Sequence, residues 1–307
     1  MAFHGLAEIT LGVPDVAAAS VFYREFGLTE SAPARFASAD GGDQLRIVTR
    51  PYRQLVEVVV AADDADDVAR VRAAARARGL AATDHDGAVS VVEPVMGHRF
   101  KVAVRPRVEQ AAHVPPPTNN PGHVARDGER APAIFATGPA RPRRLGHALY
   151  ATPDIEASQR FLVEVLGFRL TDSTPGLISF LRCSTDHHNV GLISSPVPFF
   201  HHSSWQVNDV DEIGQGGQHL LGGDVDRGVW GLGRHFLGSN YFWYFRDPAG
   251  NYAEYFADLD QIGDDDAWMA REWDPSKSLY AWGPPVPPDF VHPRDVDDIA
   301  EAMKASR

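Results

Sequence analysis

One short pattern recurs along the 307 residues and limits the folds open to them: an apolar extended segment, a helix, then further extended segments. The run from Leu6 to Asp15 lines up with the run from Leu145 to Asp154. Each is a short apolar strand followed by Pro-Asp, and the Asp caps the free N–H groups of a helix's first turn. These helices continue to Phe22-Tyr23 and to Arg160-Phe161-Leu162 and stop near Gly27 and Gly167. Extended segments follow at Arg35 to Ala39 and Leu45 to Thr49, and at Phe168 to Asp172, Leu177 to Leu181 and Val190 to Ser194. The unit returns within each half. Leu55 to Val60, a helix from Ala65 to Arg78, then Ala88 to Val92 and Phe100 to Val104 form one copy. The other has an opening strand that ends at Trp205 to Val207, a helix from Val210 to Leu221, then Tyr241 to Phe245 and Tyr252 to Phe256. Four strand–helix–strand–strand–strand units emerge, an α+β organisation set by internal repetition.

The repeat divides the chain. Residues 1–106 form a first domain, 107–142 a Pro-rich linker with Pro115-Pro116-Pro117, 143–258 a second domain, and 259–307 a turn-rich extension with a short helix near Val296 to Met303. The extension is expected to wrap the surface, with Trp268 or Trp282 as the alternative of a pocket lid. A net charge of −12 supplies no basic patch for nucleic acid. No apolar stretch approaches a membrane span, and the first residues lack a basic region followed by an apolar run. Cys183 is the single cysteine, so no internal disulfide forms. A cytoplasmic protein without membrane contact is expected.

Chemistry concentrates in the second half. His147, His187, His188, His201, His202, His219 and His235 lie there, as do all six tryptophans. His235, Tyr244 and Glu254 flank a strand, a turn and a second strand. Asp247-Pro248-Ala249-Gly250 suits a tight turn. Residues of matching parity share a strand face, so an imidazole, a phenol and a carboxylate can enter one cavity. A buried carboxylate in such company needs a cation, and a metal is the natural one.

The repeat and the run Gly233-x-His235, Trp243-Tyr244-x-x-Asp247-Pro248-x-Gly250, Glu254 resemble the vicinal oxygen chelate superfamily, and within it the type I extradiol catechol dioxygenases. The resemblance implies four βαβββ modules paired into two half-open barrel domains. It implies Fe(II), with Mn(II) as the alternative, held by His147, His202 and Glu254. His202 stands seven residues before Asp209, as His147 stands seven before Asp154; His201 is the other choice. It also implies an acid–base histidine at His188, or else His187, with His235 and Tyr244 bonding to substrate oxygens. In the first half, Glu8 and Lys101 take the places of His147 and Glu254, so a single metal site is expected. Phe200, Trp205, Phe242 and Trp243 are candidates to contact an aromatic ring.

The implied reaction opens a catechol-type ring beside its two hydroxylated carbons with both atoms of O2, giving a hydroxymuconic semialdehyde-type product, in a protein that commonly assembles as a homo-oligomer. A glyoxalase-like isomerase or lyase would use comparable ligands without O2, and a ligand-binding module would use no metal. The glycines Gly214, Gly216, Gly217, Gly222 and Gly223 lack the lysine and spacing of a nucleotide loop.

Overall fold

Four aspartates set the four main corners of the fold. Asp15, Asp64, Asp154 and Asp209 each accept a backbone N–H from the first turn of the helix that follows, which stabilises each strand-to-helix junction by about 1 kcal/mol. The computed structural model describes residues 3–305. Among these, a mixed α+β fold with two large sheets is built around the four corners.

The first sheet holds β1 (Phe3–Val13), β2 (Thr29–Ala32), β3 (Arg35–Ser38), β4 (Gly42–Thr49), β5 (Gln54–Ala62), β6 (Ala82–His85), β7 (Ala88–Val92) and β8 (Arg99–Val104), in the order β2-β3-β4-β1-β5-β8-β7-β6. Helices α1 (Val16–Glu25) and α2 (Ala65–Ala77) follow β1 and β5. The second sheet holds β9 (Arg144–Thr152), β10 (Arg169–Thr174), β11 (Ile178–Arg182), β12 (Val190–Ser194), β13 (Phe199–Gln206), β14 (Gly228–Arg234), β15 (Tyr241–Arg246), β16 (Tyr252–Ala257) and β17 (Arg271–Glu272). Their order is β14-β15-β16-β13-β9-β12-β11-β10-β17. Here α3 (Ile155–Arg160) runs on into a π-helical turn, Phe161–Leu166, that ends at Gly167 with φ +85°, a value glycine adopts freely. Helix α4 (Val210–Gly223) follows β13.

Both sheets have the same centre. A long antiparallel pair, β1 with β5 and β9 with β13, is flanked by a parallel partner on each side. These central strands are buried along most of their length, and their side chains join one apolar core that spans the two sheets. Strands β2, β6 and β14 are absent from the sequence reading. Strands β2 and β6 are four residues long and mostly exposed, and β14 has glycines at 228, 231 and 233 with no alternation to betray it.

The extension differs from the expected surface wrap. Strand β17 adds to the sheet edge beside β10, pairing Asp172 with Arg271. Phe290 is buried among Trp230, Tyr244 and Tyr252. Helix α5 (Val296–Ala305) buries Ile299. Just before it, Asp295 takes a two-pronged ion pair, at 2.6 and 2.8 Å, from the buried Arg53, the residue that precedes β5. Neither tryptophan proposed as a lid faces the cavity described below: Trp268 donates to the Thr171 carbonyl, and Trp282 is half exposed against Tyr241. No helix among the described residues is long and apolar enough to cross a membrane.

Candidate metal centre

Strand register brings the three expected ligands together. On β9, His147 pairs with Ser204 of β13, and Ser204 pairs in turn with Glu254 of β16. His202 lies two residues before Ser204 and so shares its face. The His147 Nε2 atom is 3.1 Å, and the His202 Nε2 atom 3.5 Å, from the same Glu254 oxygen, Oε2. One ligating atom from each of the three residues falls within 4.8 Å of the others, and all three residues are buried. Gly146 makes room for this packing, because a Cβ there would lie 2.4 Å from the Phe256 ring.

The donor set fits a cation. His202 Nε2 is buried with no hydrogen-bond partner. Its Nδ1 lies 2.7 Å from His201 Nδ1, and His201 Nε2 lies 2.7 Å from the Phe290 carbonyl. A carbonyl only accepts, so His201 donates through Nε2. Burial pushes His201 down to about 4, so it is neutral near pH 7 and accepts at Nδ1. The shared proton therefore sits on His202 Nδ1, which leaves the Nε2 lone pair facing Glu254. Burial, then the neighbouring His201 imidazole, holds His202 well below the usual imidazole range. Burial alone would raise the Glu254 carboxyl, but the contacts of His147 and His235 with it, and the positive character of His147 and His202, outweigh burial and hold it low. The two tendencies conflict: a neutral His202 cannot supply the charge that an ionised, fully buried Glu254 requires. A divalent cation among His147, His202 and Glu254 would supply it.

A cavity opens on this cluster. His147, His188, His202, His235 and Tyr244 form its polar end. Leu149, Phe180, Ile193, Leu237, Leu279 and Phe290 are among its apolar walls, and no lysine or arginine lines it. His235 Nδ1 donates to the Leu279 carbonyl, so its Nε2 accepts from the Tyr244 hydroxyl at 2.8 Å. Burial and the Glu254 charge push the Tyr244 phenol well above 10, keeping it a donor at neutral pH. The His188 ring lies beside that of His147, tilted by 46° with centroids 4.1 Å apart. Burial, then His147 and the other neighbouring imidazoles, hold His188 well below the usual range. Of the paired alternatives, His187 and His201 sit behind the wall, bonded to Asp172 and Phe290.

None of the four aromatic candidates for ring contact, Phe200, Trp205, Phe242 and Trp243, lines the cavity. A bulge between Phe200 and His202 reverses parity, so Phe200 turns away into the core. Trp205 faces the core by simple alternation, one residue on from Ser204, with its Nε1 donating to the Ser203 hydroxyl. Phe242 lies beneath His235, stacked at 4.0 Å, and Trp243 faces helix α4 at Gly217. Sequence reasoning missed Leu149, although it lies two residues after His147 on one strand face. It also missed Asn240, whose amide lies 3.3 Å from Glu254 Oε1, and Leu279 and Phe290, which arrive from the extension without a local pattern.

The first sheet repeats the geometry with inverted charge. Glu8 pairs with Val59 and Val59 with Lys101, the register of His147, Ser204 and Glu254, and Glu57 takes the place of His202. Glu8 and Glu57 are paired with Arg35 and Arg99.

The profile of the Glyoxalase/Bleomycin resistance protein/Dioxygenase superfamily matches residues 144–255. The chain is 34% identical over 304 residues to metapyrocatechase 2 of Cupriavidus necator, covering 94% of this chain and 92% of that protein. In fold it resembles the Mn(II)-bound glyoxalase of Novosphingobium aromaticivorans, with TM-score 0.73, 23% identity and 95% of both chains covered. It also resembles a variant of homoprotocatechuate 2,3-dioxygenase from B. fuscum, with TM-score 0.74, 19% identity, 94% of this chain and 81% of that chain covered. The likeness to metapyrocatechase 2 extends along nearly the whole of both chains, and the chain belongs to the extradiol dioxygenases of the vicinal oxygen chelate superfamily.

Proposed function

We propose that this protein opens the ring of a catechol-type diol beside its hydroxylated carbons, inserting both atoms of O2 and releasing a hydroxymuconic semialdehyde-type product. The observation that carries this reading is a buried His-His-Glu cluster at the end of an apolar cavity that also holds His188, His235 and Tyr244. His147, His202 and Glu254 are assigned as ligands of Fe(II), with Mn(II) as the alternative. Two imidazoles and one carboxylate are the donor set of non-haem Fe(II) oxygenases. The metal, when bound, supplies a positive centre that favours the ionised diol and holds it beside O2.

The chain's own residues do the rest. Tyr244 donates through its hydroxyl, and with His235 it orients the diol oxygens. His188 faces the same end of the cavity and takes the role of proton acceptor and donor. Apolar walls keep water from the reacting ring, and the absence of cationic side chains there favours a neutral diol over a carboxylated one.

The same reading organises the whole chain. Four βαβββ modules form two half-open barrels, with a metal-free domain at 1–106, a linker at 107–142, the catalytic domain at 143–258 and an extension at 259–307. The mirrored strand orders support this division. We assign the protein to the cytoplasm, as a homo-oligomer with no nucleic-acid or membrane partner. Oxygen uptake by Fe(II)-loaded protein with a series of catechols, read beside the yellow product's absorbance, tests the activity. Absence of both with every diol would leave the glyoxalase-like reading in its place.

A further inference from the structure

Two adjacent histidine pairs are built alike, and only one of them serves the metal. In the pair 201–202, the rear imidazole is anchored by a carbonyl and fixes the tautomer of His202. In the pair 187–188, the Nδ1 atoms lie 3.0 Å apart, and His187 Nε2 lies 2.9 Å from Asp172 Oδ2. The second Asp172 oxygen, Oδ1, accepts from Trp273 Nε1 and from the Arg271 backbone N–H, both at 3.0 Å. His187 is fully buried, and its own backbone N–H donates to the Asp260 carbonyl. Asp172 and His188 are nearly as well buried. The reading of the site above gives no task to His187 or Asp172, yet every polar atom of this chain of groups is matched to a partner except His188 Nε2.

The proton positions follow from what each group can do. An ionised carboxylate only accepts, so His187 donates through Nε2. With the ring proton of His187 placed on Nε2 by Asp172, its Nδ1 is the acceptor, and the proton between the two Nδ1 atoms belongs to His188. That leaves His188 with a lone pair on Nε2, the nitrogen not engaged behind the wall. We propose that Asp172 and His187 are positioning residues for His188, fixing its ring orientation and its tautomer so that Nε2 enters the cavity able to accept a proton. The inference rests on the dioxygenase reading for the use of that proton, but the tautomer itself does not depend on it.

The extension completes the device. Strand β17 holds Arg271 and Trp273 against Asp172 through the pairing of Asp172 with Arg271 and a bond from the Trp273 N–H to the Ser173 carbonyl. With both Oδ1 donors in place, Asp172 presents Oδ2 to His187 in one rotamer. A residue acting in this way changes the rate of proton transfer more than the affinity for the diol.

The test has two arms on the full chain. In the first, Fe(II)-loaded wild type, His187→Gln and His187→Leu are compared for kcat, KM, metal content and thermal midpoint. Glutamine can accept at Oε1 from His188 and donate at Nε2 to Asp172, whereas leucine can do neither. Expected is a kcat loss of about 10²-fold for His187→Leu with KM changed little, and a largely restored kcat for His187→Gln. Equal kcat losses in the two variants at equal metal content and midpoint, or full kcat in His187→Leu, would overturn the proposal. The second arm uses Zn(II)-loaded chain labelled with ¹⁵N-histidine, which is diamagnetic and needs no turnover. His188 should carry its proton on Nδ1; a wild-type His188 protonated on Nε2 alone would overturn the proposal. If wild type consumes no O2 with any diol while His188 shows the Nδ1 proton, the dioxygenase reading fails and the positioning role stands.

Discussion

His202 Nε2 points at Glu254 Oε2 from 3.5 Å and has no hydrogen-bond partner of its own. The two residues come from neighbouring parallel strands, and each needs a cation that neither can be. Wild-type protein is therefore expected to bind one equivalent of divalent metal per chain. Glu254→Gln keeps the shape but removes the charge, and should lower metal content to a small fraction after dialysis. Elemental analysis of both proteins checks this. Two tightly held ions per chain in the wild type would contradict the inverted charges of Glu8, Glu57 and Lys101 in the first sheet.

His188 lines the cavity without being part of the cluster formed by His147, His202 and Glu254. His188→Ala should lower turnover by about 10²–10⁴-fold, the usual contribution of a positioned acid–base group. Metal content should remain that of the wild type. Steady-state oxygen uptake with parallel metal analysis decides it, and wild-type turnover would remove His188 from the mechanism.

The walls of the cavity predict a preference among diols. No lysine or arginine reaches it, so a carboxylate on the substrate would lose water without gaining a partner. Catechol and 3-methylcatechol should be turned over with a kcat/KM at least about tenfold above that of 3,4-dihydroxyphenylacetate, a difference of about 1.4 kcal/mol in transition-state binding. The reverse order would mean that a cationic group enters the site during turnover.

What could be read in the chain was local. The Pro-Asp corners and the equal distance from each histidine to its helix cap come from residues a few places apart, and the structure brings His147, His202 and Glu254 together on that register. What could not be read arises from strand irregularity and distance. The bulge at 200–202 turns Phe200 away from the face that His202 occupies, and no composition or alternation marks it. Strand β14 is hidden by its glycines. Phe290 reaches the site from a segment of turns and prolines, whose path is set by contacts with Trp230, Tyr244 and Tyr252 rather than by its own pattern.

Those contacts give the extension a measurable role. Phe290 is buried, its ring lies against Tyr244, and its carbonyl anchors His201. Phe290→Ala should cost about 3–5 kcal/mol of stability through the cavity it leaves. The backbone bond to His201 survives in principle, so metal content should fall less than in Glu254→Gln. Urea unfolding of the metal-free proteins gives the first quantity, and a loss below about 1 kcal/mol would place the extension outside the cooperative core.

His98 predicts how stability depends on acidity. Its ring is buried against Tyr150 and Phe100, its Nε2 has no partner, and burial pushes its pKa down to about 3. The unfolded chain takes a proton at this residue below pH about 6.5, while the folded chain refuses it until about 3. Below 6.5 the unfolded state therefore binds more protons, and the contribution to stability falls as the pH is lowered through that window, with no further loss beneath it. Between pH 7 and pH 5 the difference amounts to about 2 kcal/mol. His98→Leu removes the titrating group, so the variant should lose less stability than the wild type over the same two pH values. Paired urea titrations of metal-free protein measure the two losses, and equal losses would mean that His98 finds water or a proton acceptor in the folded chain.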